Sequence, residues 1–227
     1  MDAKEAKVLI DTIFSLISNA TTIHDLQNIL EHPALLKSRM DNSKYPKIEF
    51  SISDKEIESM IDSGILNSDL TFSNTISSQL KDPITKLLYA MIWKNGDLKK
   101  EKHICQGILD SNKVEVNRKS TFVFYQFGKY LTKTKGQPII DQHVLRAFAI
   151  FVEIEGENVN EEKVDEIRRT TILKVGDVDL IKKYKTWLLS VSLNDENKNF
   201  LDYTYYIDKI LFATGKTIKA APLQPIN

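Results

Sequence analysis

Gln137-Pro138-Ile139-Ile140-Asp141-Gln142-His143-Val144-Leu145-Arg146-Ala147-Phe148 is the segment from which the organisation of this chain of 227 residues follows. Pro138 lacks an amide hydrogen and its ring clashes with a preceding helical turn, so it excludes a helix interior at that position. The apolar residues after Asp141 follow helical spacing. We therefore predict a loop that ends at Asp141 and a helix that this aspartate caps.

Cap signals and helical periodicity recur along the chain and predict a mainly α fold of about eight to ten helices. The clearest signals are a capping box at Ser53 and Glu56 and the pair Asp82-Pro83. Gly215 is predicted to end the last helix. The predicted helices span residues 2–18, 22–32, 53–64, 82–94, 98–109, 120–131, 141–151, 161–173, 177–189 and 200–212.

Charge is balanced overall but unevenly distributed. The chain has 31 basic and 31 acidic residues. Residues 94–135 hold ten basic and four acidic residues, a net charge of +6, whereas residues 153–208 have a net charge of −5. A basic segment is what binding to a phosphate backbone requires. Lysine-rich helix faces that simply face solvent give the same pattern.

The single cysteine, Cys105, excludes a disulfide within the chain and is too few for a zinc or iron–sulfur site with cysteine ligands. The four histidines show no metal-ligand spacing. Residues 1–19 lack the basic start and clean apolar core of a signal peptide. No apolar run approaches the ~20 residues of a membrane span. We expect a cytoplasmic protein without a metal, a cofactor or a membrane partner.

Three features follow one another between residues 119 and 146. A helix opens at Lys119, a loop contains Gly136 and Pro138, and Ile140-Asp141-Gln142-His143-Val144-Leu145-Arg146 begins the next helix. This order resembles the helix-hairpin-helix, Gly/Pro-rich loop, Asp superfamily of DNA base-excision glycosylases. In that family a lysine at a helix start precedes the aspartate by an interval similar to the 22 residues found here. The resemblance covers about residues 94–151.

The resemblance implies a two-lobed helical bundle with a DNA-binding groove between its lobes. One lobe would combine residues 1–81 with 152–219, the other would comprise residues 82–151, and residues 220–227 would form a tail. The implied partner is double-stranded DNA, bound by a monomer associated with the nucleoid in the cytoplasm. The implied activity is a DNA glycosylase with lyase activity, acting on a damaged or modified base.

The resemblance also implies roles for individual residues. Lys119 would attack the sugar C1′ atom, and Asp141 would stabilise the positive charge of the transition state. A helix N-terminus and the adjacent Arg118 both favour the neutral lysine that attack requires. Lys129 is a second candidate nucleophile. The residues expected to contact DNA are Lys113, Asn117, Arg118, Lys133, Lys135 and His143.

The hairpin of the family contains glycines that let backbone amides approach a phosphate, but residues 110–118 contain none. A catalytically silent helical module that binds nucleic acid or protein is therefore an alternative. A helical protein with no nucleic-acid function is a third. In both, Lys119 is an ordinary surface or phosphate-binding lysine and Asp141 a plain N-cap. Most aromatics of residues 122–130, and Trp93, are assigned to the core.

Overall fold

A computed structural model describes residues 1–113, 122–156, 160–169, 177–191 and 200–221. Across these ranges the chain is mainly helical, with one isolated bridge between Leu66 and Phe72 and no further strand pairing. The predicted mainly α fold is confirmed. The helices are α1 (Ala3–Asn19), α2 (Ile23–Leu30), a 3₁₀ turn (Leu36–Ser38), α3 (Asp54–Asp62), α4 (Ile76–Gln79), α5 (Pro83–Lys94), α6 (Glu101–Leu109), α7 (Phe122–Leu131), α8 (Gln142–Ile154), α9 (Glu161–Arg169), α10 (Asp177–Ser190) and α11 (Phe200–Thr217).

The helix starts are fixed by the caps that the sequence contains. Capping boxes close the N-termini of α1, α2 and α3, with Asp2, Thr22 and Ser53 as the N-caps. Asp82 accepts from the Thr85 amide ahead of Pro83 at the start of α5. Each cap supplies an acceptor to an amide that has no partner within its helix.

The chain divides into two compact units, of which unit 1 is Met1–Ile48 with Pro138–Asn227 and unit 2 is Glu49–Gln137. The lobes expected from the resemblance had their boundaries at 81/82 and 151/152. Packing places three helices differently, since α3 and α4 belong to unit 2 and α8 belongs to unit 1. Ile57 of α3 belongs to the same apolar cluster as Ile108 of α6, and Phe148 of α8 packs against Phe14 of α1.

Unit 1 is built around α8 and α11, which pack against each other and against α1 and α2. An aromatic cluster forms its densest part. The Phe14 and Phe151 rings stack with centroids 3.9 Å apart, and the Trp187 ring lies 5.0 Å from Phe14. Offset aromatic pairs contribute stabilisation beyond that of their buried area. This cluster therefore stabilises the packing of α1 and α10 against α8.

Unit 2 depends on a close crossing of α6 and α7. A Cβ atom on Gly107 would lie 2.0 Å from the Tyr125 carbonyl oxygen, and one on Gly128 would lie 2.1 Å from the Ile104 carbonyl oxygen. Only a residue without a side chain lets the two backbones approach this closely. A buried apolar cluster, which includes Ile57, Leu66 and Ile108 of α6, packs beside this pair.

Two sequence predictions about helix ends are wrong. Helix α6 begins at Glu101 and not at residue 98, because the chain first makes a turn in which the Lys100 amide donates to the Asp97 carbonyl. Helix α11 continues to Thr217, so Gly215 lies inside it. The reason for that glycine is again a close approach, since its Cβ atom would lie 1.9 Å from the His143 carbonyl oxygen.

Candidate functional site

The loop before α8 ends at Asp141, as predicted from the sequence. Gly136 has a φ of +74°, a conformation that favours glycine, and the chain then runs extended into Asp141, whose φ and ψ are −125° and 154°. The Asp141 Oδ1 atom accepts from the His143 amide at 2.6 Å. Asp141 is half-buried, and Oδ2 has no hydrogen-bond donor among the described residues. The helix cap therefore uses one carboxylate oxygen, and the charge of Asp141 also acts on His143 and Arg146, where it offsets part of the lowering of their pKa by burial.

A buried carboxylate holds the loop in place. Asp208 of α11 accepts from the Ile139 amide at 2.9 Å and from the Tyr184 hydroxyl at 2.6 Å. Burial raises the pKa of Asp208 to about 7, against the effect of these two donors. Burial likewise raises the pKa of Tyr184 well above its ordinary value. The backbone at Ile139, two residues before Asp141, is thus held by the side chain of Asp208, which lies 69 residues after Ile139 in the sequence.

The first turn of α8 is tied to α11 by a second polar group. The buried Arg146 donates through one guanidinium nitrogen to His143 Nδ1 at 2.7 Å and to the Gly215 carbonyl at 3.3 Å. A guanidinium can only donate, so Nδ1 accepts and the proton of the neutral ring lies on Nε2. Burial lowers the pKa of His143, and of Arg146, below the ordinary values.

His143 is consequently a packed residue of the site. Its ring meets Phe212 edge-on with centroids 5.1 Å apart. Its predicted contact with DNA stays a prediction. Arg146 and Asp208 were missed by the sequence analysis, although an arginine between the apolar residues Leu145 and Ala147 is the kind of signal that marks a buried, partnered charge.

Unit 2 contains a second polar cluster, at the end of α6. Asp110 accepts from Lys113 Nζ at 2.9 Å, from Gln106 at 3.0 Å and from the buried Tyr125 hydroxyl at 3.2 Å. Lys129 is only 1% exposed, and its Nζ atom donates to the Lys113 carbonyl at 3.2 Å. A buried, hydrogen-bonded ammonium is poorly placed to attack a DNA sugar, so this geometry disfavours Lys129 as the nucleophile.

The remaining predicted site residues fall in two groups. Asn117, Arg118 and Lys119 lie outside the described residues. Lys133 has a φ of 57°, and its Nζ atom lies 4.1 Å from the centre of the Tyr130 ring. Lys135 is exposed. Lys119 belongs by sequence to unit 2 and Asp141 to unit 1, so their pairing stays a prediction.

The described residues contain no group of three or more histidine, cysteine or acidic side chains that could hold a metal ion. Within the same ranges, no helix is long and apolar enough to span a membrane. No family model, curated protein or solved structure matches this chain significantly.

Proposed function

We propose that this protein is a DNA glycosylase with lyase activity, in which Lys119 is the nucleophile and Asp141 the carboxylate that stabilises the transition state. The observation that carries the proposal is the start of α8. Asp141 follows the Gly/Pro loop, caps the helix through Oδ1 and keeps Oδ2 without a donor among the described residues. The second oxygen can therefore face developing positive charge while the first caps the helix.

The chemistry of the proposal balances as follows. The neutral Lys119 amine attacks C1′ of the damaged nucleotide, and the bond from C1′ to the base breaks, so that the base leaves with the bonding electrons and takes up a proton. The resulting N,O-acetal opens when the C1′–O4′ bond breaks; O4′ takes up the remaining amine proton, and an imine forms between Lys119 and C1′ of the sugar. Positive charge develops at C1′ as the base departs, and a carboxylate lowers the energy of that charge only in the transition state.

Two further observations support DNA as the partner. The net charge of +6 over residues 94–135 suits a phosphate backbone. The loop before α8 is held rigidly, since Asp208 fixes the Ile139 amide and Arg146 ties α8 to Gly215. A carboxylate that acts on developing charge must be held in a fixed position before the reaction begins.

Borohydride trapping tests the nucleophile, because borohydride reduces an imine to a stable amine. We expect the wild-type protein to be trapped on a duplex that carries an abasic site, and on at least one of a panel of damaged bases. Lys119→Gln should abolish trapping on both. Lys135→Gln is the matched control, since it removes an exposed lysine expected to contact DNA and should leave trapping intact when the duplex is saturating.

The carboxylate is tested separately by base release. Asp141→Asn should slow release on the order of a hundredfold or more, while the Asn side chain can still accept from the His143 amide and preserve the cap. Full trapping of Lys119→Gln would show that the nucleophile is wrongly assigned. Salt-sensitive duplex binding with neither release nor trapping would instead favour the silent nucleic-acid-binding module.

A further inference from the structure

One side of α11 carries aromatic and basic side chains in alternation. Four residues follow the spacing i, i+4, i+7, i+11, which places them in one row along the helix. They are Tyr205, Lys209, Phe212 and Lys216. The first three are half-buried and the last is exposed. This row, called here the α11 stripe, is about 17 Å long, and it lies opposite the buried Ile207 and Leu211.

The lysines of this region carry net positive charge. Lys209 and Lys216 lie on the stripe, and the exposed Lys219 follows the end of the helix. In the described part of the chain, no carboxylate lies within ion-pair distance of these three lysines. Residues 209–227 contain no acidic residue, although residues 153–208 before them have a net charge of −5. The stripe is therefore basic within an acidic third of the chain.

The lysines lie beside the aromatic rings. Lys209 Nζ is 5.2 Å from the centre of the Tyr205 ring. Lys216 Nζ is 5.9 Å from the centre of the Phe212 ring. Both distances are within the range in which a cation is attracted to the face of a ring. Charge and aromatic surface are thus presented together along the stripe.

Two further cations border the stripe, and each is paired with a carboxylate. Lys47 pairs with Asp202, and Arg39 pairs with Glu31 at 2.6 Å. Burial lowers the pKa of Lys209, and the positive charge of Arg39 adds to that effect. A half-buried ammonium that faces a second cation is stabilised when an anion binds beside it.

The stripe ends beside the candidate site of unit 1. The Phe212 ring meets the His143 ring edge-on with centroids 5.1 Å apart. Burial lowers the pKa of His143, and the positive charges of Arg146 and Lys219 add to that effect. A ligand that follows the stripe therefore reaches the start of α8, where Asp141 lies.

Rings alternating with lysines fit a single nucleic-acid strand. Proteins that bind single strands combine cations along the sugar–phosphate backbone with aromatic rings on which unpaired bases stack. An acidic peptide would use the lysines and leave the rings without planar partners. A membrane-surface helix inserts a large apolar face, whereas the apolar face of α11 is buried within unit 1.

We propose that the α11 stripe binds a single strand of DNA or RNA, with the three lysines on phosphates and the rings of Tyr205 and Phe212 against unpaired bases. This is a second nucleic-acid site, because the basic residues 94–135 belong to unit 2. The site does not depend on Lys119 or on base release. If the proposed glycosylase activity holds, the bound strand passes Asp141.

The salt dependence of binding tests the lysines. Fluorescence anisotropy measures the affinity for a labelled oligothymidylate of about ten nucleotides. Each phosphate contact to a single strand adds about 0.7 to the slope of log affinity against log salt. The test variant should therefore lower that slope by about 2 and weaken binding at least about tenfold at low salt. It combines Lys209→Gln, Lys216→Gln and Lys219→Gln.

A second triple variant is the matched control. It removes the same charge from exposed lysines of α1 and α10 and should leave the slope unchanged. It combines Lys4→Gln, Lys182→Gln and Lys183→Gln. Circular dichroism of each variant confirms that the helices are retained.

Tyr205→Leu tests the stacking, because leucine keeps an apolar side chain and removes the ring. It should weaken binding of the oligothymidylate about tenfold. Binding of a duplex of the same length should be unchanged, since paired bases are stacked on one another. A labelled oligouridylate distinguishes the two kinds of strand, and tighter binding of either one through the stripe supports the proposal.

Four outcomes would overturn the proposal. One is no binding of either oligonucleotide at low salt. Another is an equal slope for the two triple variants. A third is an equal loss of duplex and single-strand binding in Tyr205→Leu, because the ring would then act through folding. The last is binding of phosphatidylglycerol vesicles through the stripe without strand binding, which would assign it to a lipid surface.

Borohydride trapping separates this site from the proposed function. Strand binding through the stripe without trapping would refute the glycosylase activity alone. Trapping on a duplex without strand binding would refute the single-strand site alone.

Discussion

Replacing Asp208 by asparagine should flatten the dependence of folding stability on pH. Burial raises the pKa of Asp208 from 3.8 to about 7 in the folded protein. The folded state therefore holds the proton more tightly than the unfolded chain does. Stability from this group is fully present below the unfolded pKa and is lost as the pH rises through the folded pKa, because the buried carboxylate must then ionise.

The magnitude follows from the two pKa values. Each unit of difference is about 1.36 kcal/mol, so the loss between pH 3.8 and about 7 is roughly 4 kcal/mol. Between pH 5 and pH 7 the wild-type protein should lose about 2 to 3 kcal/mol of unfolding free energy from this residue. Asparagine cannot ionise, and its amide oxygen still accepts from the Ile139 amide.

Urea unfolding at several pH values, followed by circular dichroism and by fluorescence of the buried aromatic cluster, measures the effect. The test is the difference between the two proteins, since other groups titrate equally in both. His143 acts in the opposite direction, because its lowered pKa makes stability fall as the pH falls. If Asp208→Asn shows the same slope as the wild type between pH 5 and pH 7, Asp208 does not titrate there and the reasoning fails.

Further expectations concern packing and DNA binding. Gly128→Ala places a Cβ atom 2.1 Å from the Ile104 carbonyl oxygen and should destabilise the protein by about 1–3 kcal/mol in urea unfolding; a change within error would mean that the α6–α7 crossing can relax. Duplex affinity should fall steeply with salt, because bound phosphates release counterions. Charge reversal at Lys133 and Lys135 together should weaken binding and reduce that salt dependence, and an affinity indifferent to both would exclude residues 94–135 as the DNA face.

Local chemistry made much of the fold predictable. Ser53, Asp82 and Asp141 each cap a helix as expected, because a cap involves only residues a few positions apart in the sequence. Contacts between residues that are far apart in the sequence could not be predicted in the same way. A single sequence does not show that Gly128 meets the Ile104 carbonyl, or that Asp208 holds the Ile139 amide.

The exposure of α5 was missed for a related reason. Trp93 was assigned to the core from the sequence, and that assignment is wrong, because Trp93 is 64% exposed and no residue of α5 is buried. Helical spacing identifies apolar residues on a helix, but it does not say whether another part of the chain covers them. For the candidate site, the sequence predicted the capping role of Asp141 and not the elements that hold it. Those elements lie on α11, more than sixty residues later.

Helix α11 therefore offers a way to disturb Asp141 without touching the proposed nucleophile. An alanine at Gly215 would place its Cβ atom 1.9 Å from the His143 carbonyl oxygen, and an ordinary contact there needs 3.4 Å or more. The start of α8 and α11 must then separate by about 1.5 Å at this point, and a displacement of about 1 Å costs on the order of a hundredfold in rate when it affects a catalytic group. We expect Gly215→Ala to slow base release by that order while Lys119 is still trapped on an abasic duplex, where the base has already gone. Gly156→Ala is the matched control, since among the residues that the structure describes its Cβ atom would meet the Glu153 carbonyl oxygen alone, at 3.3 Å. If Gly215→Ala loses trapping and base release to the same extent, the substitution has disturbed folding in general. If base release is unchanged, the position of Asp141 does not control the rate of the reaction.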